Sequence, residues 1–137
     1  MEEGTRREEE SRQVYEMLRE VEVRQVGFCL SDCGRYGYSP DGLVGEDGLV
    51  EFKNPSGKVA VECLVGDKLP TEHIQQVQGG LLVTGRKFCD FVSYHPGLRT
   101  LIVRVERDGV FLAKLEEQLL LFCKKLDEVC EQIKGGK

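Results

Sequence analysis

Hydrophobic and polar positions follow two different periods along this chain. Residues 5–20 place Val14, Tyr15 and Leu18 on one stripe of a helix. A second stripe, near the C-terminus, repeats every three or four positions and comprises Phe111, Leu115, Leu119, Phe122, Leu126, Val129 and Ile133. Because an α helix turns once every 3.6 residues, both segments are predicted to form amphipathic helices.

Other segments have the composition of β strands. Residues 21–30 (VEVRQVGFCL) are rich in β-branched residues and predict a strand, followed by a turn in SDCGRYG. The next strand should run to about Leu43–Val44. The GEDG turn at residues 45–48 should then form a hairpin with LVEFK at residues 49–53. Two later segments, KFCDFVSYH and RTLIVRVER, predict two more strands.

The middle of the chain gives a mixed signal. Residues 56–70 fit either a strand or the start of a helix. A further helix is predicted from about Thr71, as its N-cap, to a stop at Thr84–Gly85. Gly79 and Gly80 are costly inside a helix, so we expect them to mark close packing against another backbone.

The order of these elements predicts a mixed β-sheet flanked by helices, in the α/β or α+β class. The 137 residues fit one domain spanning 1–137 that can bury its own core. No apolar run approaches the roughly 20 residues that cross a bilayer, and the charged N-terminus does not resemble a signal peptide. These features favour a cytosolic protein.

The charge and the cysteine content narrow the possible classes of protein further. The net charge of −5 argues against a broadly basic surface, although short basic clusters remain at Arg6–Arg7, Arg86–Lys87 and Lys124–Lys125. The six cysteines show neither CxxC pairs nor zinc-ligand spacing, so we expect reduced thiols without a zinc or iron–sulfur site. Those within apolar segments should act as small hydrophobic residues, namely Cys89, Cys123 and Cys130.

The stretch SPDGLVGEDGLVEFKNP, residues 39–55, concentrates the candidate chemistry. Residues two apart in a strand share a face, so Glu51 and Lys53 should project together, and the hairpin should bring Asp41 close to Glu51. Two neighbouring carboxylates need a cation between them, and hard oxygen ligands suit Mg²⁺ or Mn²⁺. Such a site could hydrolyse a phosphodiester, with the lysine orienting a water molecule. By spacing alone, the pattern is loose and more typical of a charged surface hairpin.

Several neighbouring residues have two interpretations. Glu8 and Glu10 lie at opposite edges of the first helix stripe, and periodicity does not choose which of them points inward, whereas Glu9 should face solvent. His73 fits either a proton relay or, more simply, a half-buried or surface histidine. Asp47 and Asp90 are interpreted as solvated or structural acids.

Several blocks in order resemble a known family. They are Gly4-x-x-x-Glu8, Ser-Pro-Asp-Gly at 39–42, Glu-x-Lys-x-Pro at 51–55, Gln-x-Gln at 76–78, Val-Thr-Gly at 83–85 and Ser-Tyr-x-Pro at 93–96. Together they resemble the lambda-exonuclease-like (YqaJ-type) viral recombinases of the PD-(D/E)xK nuclease superfamily. The resemblance implies a restriction-endonuclease-like core. It also implies a Mg²⁺-dependent deoxyribonuclease, most simply a 5′-to-3′ exonuclease on linear duplex DNA.

The resemblance assigns roles by motif. Asp41 and Glu51 would be metal ligands, with Lys53 positioning the attacking water. The backbone carbonyl of Phe52 and the side chain of Glu8, preferred over Glu10, would complete the metal site. Gln76 would lie near the site, with Gln78 in a supporting role.

The same resemblance implies partners: DNA ends, a homo-oligomer such as the family's ring trimer, and a single-strand annealing protein. In a viral setting, the location would be the host cytoplasm. Family members carry a segment with DNA-gripping basic residues before the Gly-x-x-x-Glu helix, whereas this sequence starts almost at that helix. End preference and oligomeric state therefore stay open. An endonuclease or flap nuclease, and a noncatalytic DNA-binding module, stay as alternatives.

Overall fold

A computed structural model describes residues 2–67 and 69–135, with the side chains of residues 2–5 outside the description. The helices in this part of the chain are α1 (Glu2–Arg19), α2 (Gly57–Gly66), α3 (Ile74–Thr84, entered through a 3₁₀ turn at Thr71–His73) and α4 (Gly109–Gly135). The strands are β1 (Val23–Arg24), β2 (Cys29–Leu30), β3 (Gly37–Tyr38), β4 (Gly42–Val44), β5 (Gly48–Lys53), β6 (Phe88–Ser93) and β7 (Leu101–Glu106).

The main sheet has five strands in the order β1-β4-β5-β6-β7. Its two central strands, β5 and β6, run parallel, and the outer pairings are antiparallel. Strands β2 and β3 form a separate two-stranded sheet. The predicted mixed sheet flanked by helices is confirmed, as are the 45–48 hairpin turn and the strand that follows it.

Each face of the central strands supports a separate hydrophobic cluster. On one face, Tyr15 of α1 packs with Val50, Phe52 and Val92. On the other face, α3 packs Val77 and Leu81 against a group formed by Leu49, Cys89 and Phe91. Strand alternation therefore directs Glu51 and Lys53 away from the face that carries Val50 and Phe52, as predicted.

Two predictions about local elements need correction, and one alternative left open by the sequence is decided. Residues 21–30 do not form one strand, because β1 and β2 belong to different sheets and the segment between them, with Gly27, pairs with neither. The ambiguous segment at 56–70 contains α2, which ends at Asp67 in the left-handed conformation (φ 48°). Thr71 does not cap α3; it begins the 3₁₀ turn, and no side chain caps either element.

The glycine pair in α3 marks close packing, but against side chains. A Cβ at Gly80 would lie 2.6 Å from the ring of Tyr38, and one at Gly79 would lie 4.0 Å from Leu115. The prediction of close packing is thus confirmed at Gly80, while the expected backbone partner is wrong. Glycine lets the aromatic ring of β3 lie directly on the helix.

The two amphipathic stripes are only partly buried. Tyr15 is fully buried, yet Leu18 at the end of the α1 stripe is 54% exposed. In α4, the described residues that are buried are Leu112 and Cys123, while the outer half of the stripe is exposed: Phe122, Leu126, Val129 and Ile133. The periodicity predicted the helices correctly. It could not show how far along each helix a packing partner extends.

All six cysteines are free thiols. Cys89 and Cys123 are buried as expected, whereas Cys130 is exposed, so its prediction as a small core residue is wrong. Among the described residues, no helix combines the length and apolar character needed to cross a bilayer.

Candidate active site

Asp41 lies immediately before β4, at the edge of the hairpin. The antiparallel register pairs Gly42 with Val50, so its continuation places Asp41 beside Glu51. The Oδ2 atom of Asp41 accepts a hydrogen bond of 2.8 Å from the backbone N–H of Phe52. A charge-assisted bond of this kind fixes the direction of the carboxylate. Asp41 is therefore oriented by the backbone of the strand that carries the other acid.

Glu51 is a buried carboxyl group in the centre of the sheet. It is 2% exposed, and its Oε1 atom has no hydrogen-bond partner among the described residues. Burial raises the pKa of Glu51 to about 7, although the nearby Lys53 ammonium and the Asp41 backbone N–H act in the opposite direction. The carboxylate of Glu8 adds to the increase. A buried oxygen without a partner is costly, so this position is suited to binding a cation.

Lys53 and His73 extend the site along the same side of the sheet. The ammonium of Lys53 acts on Glu51 and also contributes to a lowered pKa of His73, whose main cause is burial. The His73 ring is half-buried and lies 5.1 Å from the ring of Phe91, centroid to centroid. This geometry favours the simpler interpretation of His73 as a packed, half-buried histidine.

A cavity of about 300 Å³ opens beside Asp41, between the first helix and the strands. It is lined by Glu8, Glu9, Arg12, Gln25, Asp41 and Phe52. Glu10 is engaged elsewhere, since its Oε2 accepts a hydrogen bond of 3.2 Å from the hydroxyl of Tyr94. Of the two helix acids that periodicity left open, the geometry thus brings Glu8 toward Asp41 and Glu51.

The oxygen atoms of this site suit a divalent ion that keeps part of its water shell. Among the described residues, no group of three or more His, Cys, Asp or Glu side chains converges closely enough to hold a metal. Mg²⁺, however, typically uses one or two carboxylates and completes its shell with water and substrate phosphates. The oriented Asp41 and the unpartnered Oε1 of Glu51 match that requirement. The Phe52 carbonyl also faces Asp41, because the N–H and C=O of one strand residue point to the same side.

Comparison with known proteins identifies the family of the chain. The sequence profile of the YqaJ-like viral recombinase domain matches residues 1–87. The chain belongs to this family. A search of curated proteins gives no match.

Solved structures extend the family likeness to nearly the whole chain. An alkaline exonuclease (LHK-Exo) from Laribacter hongkongensis superposes with a TM-score of 0.89 at 34% identity, covering 96% of this chain and 71% of that one. The structure of LHK-Exo in complex with dAMP gives 0.85 at 32% identity, covering 99% and 74%. The α+β, restriction-endonuclease-like core implied by the family motifs is confirmed.

The two glutamines of the family's Gln-x-Gln motif have different environments. Gln76 is exposed and makes no hydrogen bond to a described residue, so the structure does not bring it into contact with the acids. Gln78 is buried; its Nε2 donates to the Glu106 carbonyl at 2.9 Å, and its Oε1 accepts from the Asp108 N–H at 3.2 Å. Gln78 therefore connects α3 to the corner between β7 and α4.

Three residues that line this cavity were not predicted from the sequence. Arg12 follows Glu8 by four positions on α1, a spacing that places both on one face and could have revealed it. Glu9 was expected only to face solvent; it is exposed, yet it lines the cavity. Gln25 lies in the irregular segment after β1, where the sequence gives no periodic signal.

Proposed function

We propose that this chain is a divalent-metal-dependent deoxyribonuclease that removes nucleotides from the ends of linear duplex DNA in the 5′-to-3′ direction during recombination. The observation that carries the proposal is the buried Glu51 carboxyl, with an unpartnered oxygen, next to the backbone-oriented Asp41. Family membership supports it, as does the likeness to an alkaline exonuclease whose structure was also solved with dAMP.

The proposed metal ligands are Asp41, Glu51 and the Phe52 carbonyl, with Glu8 as the further acid. Because the three acids do not converge closely enough to hold an ion together, Glu8 would reach it through a bound water. Mg²⁺ is the expected ion, with Mn²⁺ as a substitute, because the donors are all hard oxygen atoms. When bound, such an ion lowers the cost of forming hydroxide and of building negative charge on a phosphate. It also supplies the partner that the Glu51 Oε1 atom lacks among the described residues.

The side chains around this site have separate tasks. Phe52 holds Asp41 through its N–H, so the carboxylate needs no reorganisation before substrate binds. Lys53, close enough to Glu51 to affect its pKa, orients the attacking water through an ammonium N–H. Gln76, at the exposed start of α3, is assigned a contact with bound DNA near the site.

The proposed partners follow the same family. DNA ends are the substrate, a homo-oligomer such as a ring trimer is the working assembly, and a single-strand annealing protein takes the product strand. The proposed location is the cytoplasm, that of the host if the protein is viral.

One experiment separates this function from its alternatives. End-labelled linear duplex and closed circular DNA are incubated with the protein, in Mg²⁺ or in chelator. The wild type is compared with Asp41→Ala, Lys53→Ala and the control Asp47→Ala, which removes an exposed acid from the hairpin turn. We expect loss of linear DNA from the 5′ end, abolished by chelator and in Asp41→Ala and Lys53→Ala, with Asp47→Ala close to wild type.

Other outcomes assign other functions. Nicking of closed circles would indicate an endonuclease, and cleavage restricted to a branched substrate a flap nuclease. If the wild type binds DNA but neither degrades it nor differs from Asp41→Ala, the chain is a noncatalytic binding module.

A further inference from the structure

We propose that Arg12 binds a phosphate group of the DNA strand that occupies the active-site cavity. This inference rests on the proposed function, since it concerns the substrate of the same site. It assigns the residue a contact with the anionic part of the substrate, separate from the metal-binding acids.

The position of Arg12 is the first support. It lies one turn after Glu8 on α1 and lines the same cavity as Asp41 and Phe52. Its side chain is 28% exposed and lies at the wall of the cavity. A ligand held beside Asp41 would therefore lie next to a positive charge.

The present partners of Arg12 are weak. Its nearest carboxylate oxygens are Oε1 of Glu9 at 3.8 Å and Oε1 of Glu16 at 3.9 Å, both beyond hydrogen-bond distance. Glu16 uses its other oxygen to accept a bond of 2.9 Å from the Val23 N–H. Both acids are thus loosely associated with Arg12, and its donors can turn toward a ligand without breaking a short bond.

The structural arginines of this protein behave differently. Arg104 makes two bonds of 2.9 and 3.0 Å to Asp90, and Arg35 makes two of 3.0 and 2.8 Å to Asp127. Arg107 donates to two backbone carbonyls. Unlike these three arginines, Arg12 combines a position on the cavity with no short bond to any described residue.

The charge of the cavity explains why such a cation is needed. Glu8, Glu9 and Asp41 make this region acidic, and the whole chain carries a net charge of −5. A divalent ion offsets the metal-binding acids only locally, while a DNA phosphate brings further negative charge. The planar guanidinium has a fork of N–H groups that matches two phosphate oxygens, whereas lysine offers only a point charge.

The test compares Arg12→Ala and Arg12→Lys with Arg19→Ala, which removes the same charge from an exposed position on the same helix. Binding of labelled linear duplex is measured by anisotropy in Ca²⁺ over a series of salt concentrations, with intact DNA verified on gels. For Arg12→Ala we expect affinity to fall about 10-fold and the salt-dependence slope of log K to decrease by about 0.9, the value for one lost phosphate contact. Arg12→Lys should keep the slope but recover only part of the affinity, and Arg19→Ala should match wild type.

Steady-state kinetics in Mg²⁺ provide a second measurement, in which Arg12→Ala should raise KM more than it lowers kcat.

Unchanged affinity and slope in Arg12→Ala would overturn the inference, and a lowered Tm with intact DNA binding would show that Arg12 serves only the ion pairs of α1. The inference stands, and the nuclease proposal fails, if Arg12→Ala loses DNA binding while wild type and Asp41→Ala are equally inactive. Absence of DNA binding by the wild type would overturn both.

Discussion

Two buried carboxyl groups, on neighbouring central strands of the sheet, differ in the hydrogen-bond partners that the protein gives them. Asp90 on β6 pairs in register with Val50, and Glu51 on β5 pairs with Phe91. The two acids therefore occupy successive rungs of the ladder and project from opposite faces of the sheet. Asp90 is fully buried and satisfied: Tyr15 donates at 2.6 Å, and Arg104 donates at 2.9 and 3.0 Å. Glu51 is 2% exposed and lacks a partner for Oε1 among the described residues.

The difference separates a structural acid from a candidate functional one. The bonds to Asp90 join α1, β6 and β7, so its desolvation cost is offset within the fold itself. The cost at Glu51 is offset only by Lys53 at a distance and by the Asp41 backbone. Burial that is not balanced by protein groups suits the binding of a ligand, and the cavity lined by the neighbouring Asp41 provides room for one.

The largest expected effect comes from neutralising Glu51. Glu51→Gln should reduce nuclease activity by at least about 1000-fold, equal to roughly 4 kcal/mol of lost transition-state stabilisation. Its fold should persist, because glutamine removes a buried charge and keeps the shape. Single-turnover cleavage of linear DNA, with circular dichroism as the folding control, measures both. Activity within 10-fold of wild type would remove Glu51 from the catalytic site.

The second effect is a pH dependence of the metal-free protein. The pKa of Glu51 rises from 4.5 to about 7 on folding, so between these values the folded state binds more protons than the unfolded state. The free energy of unfolding should therefore fall as pH rises from 4.5 to 7, by about 3 kcal/mol once the group is fully ionised. Urea denaturation in chelator measures this loss as the difference between wild type and Glu51→Gln.

Metal provides the control for that pH effect. At pH 8, Mg²⁺ should raise the Tm of the wild type and leave Glu51→Gln nearly unchanged, because the ion binds the ionised carboxylate. Equal pH profiles for the two proteins, or equal responses to Mg²⁺, would contradict the picture of Glu51 as an unbalanced acid.

The third prediction concerns Asp90, the acid whose oxygens are hydrogen-bonded within the fold. Asp90→Asn should lower the free energy of unfolding by about 2 kcal/mol, because Tyr15 and Arg104 lose a charged acceptor inside the fold. The Tm increase caused by Mg²⁺ should stay as in wild type. Urea denaturation and thermal melts with and without Mg²⁺ provide both values. Loss of the Mg²⁺ response in Asp90→Asn would show that this acid also belongs to the metal site.

The features of the Glu51 site that depend on local periodicity could be predicted from the sequence. Alternation in residues 49–53 separates Glu51 and Lys53 from Val50 and Phe52, and the GEDG turn fixes where Asp41 meets the strand. Both follow from short-range geometry, so one sequence suffices to derive them. The family motifs then favoured Glu8 over Glu10, a choice that periodicity alone left open.

Features that depend on partners distant in the chain could not be predicted from the sequence. Tyr15 contacts Asp90 from 75 positions away, and nothing local indicates that this acid is satisfied by α1 and β7. The exposure of Leu18 and of the outer α4 stripe has the same origin, since an apolar face is buried only where another element reaches it. The place of Gln25 at the cavity depends on how an irregular segment folds over α1 and β4.

The smallest effect concerns Tyr15, which links the structural acid to the helix that carries Glu8 and Arg12. Burial, and then the bond to Asp90, raise the pKa of Tyr15. Its hydroxyl therefore stays protonated at neutral pH and keeps donating the hydrogen bond. Tyr15→Phe keeps the ring that packs 6.0 Å from Phe52 and removes only the O–H, so we expect a loss of about 1 kcal/mol. A double-mutant cycle with Asp90→Asn should show that the two losses are not additive.

Because the packed ring still holds α1 on the sheet, DNA cleavage should change less than about threefold, or under 1 kcal/mol. A larger drop would mean that the Tyr15–Asp90 bond, and not only the packing, positions Glu8 beside Asp41.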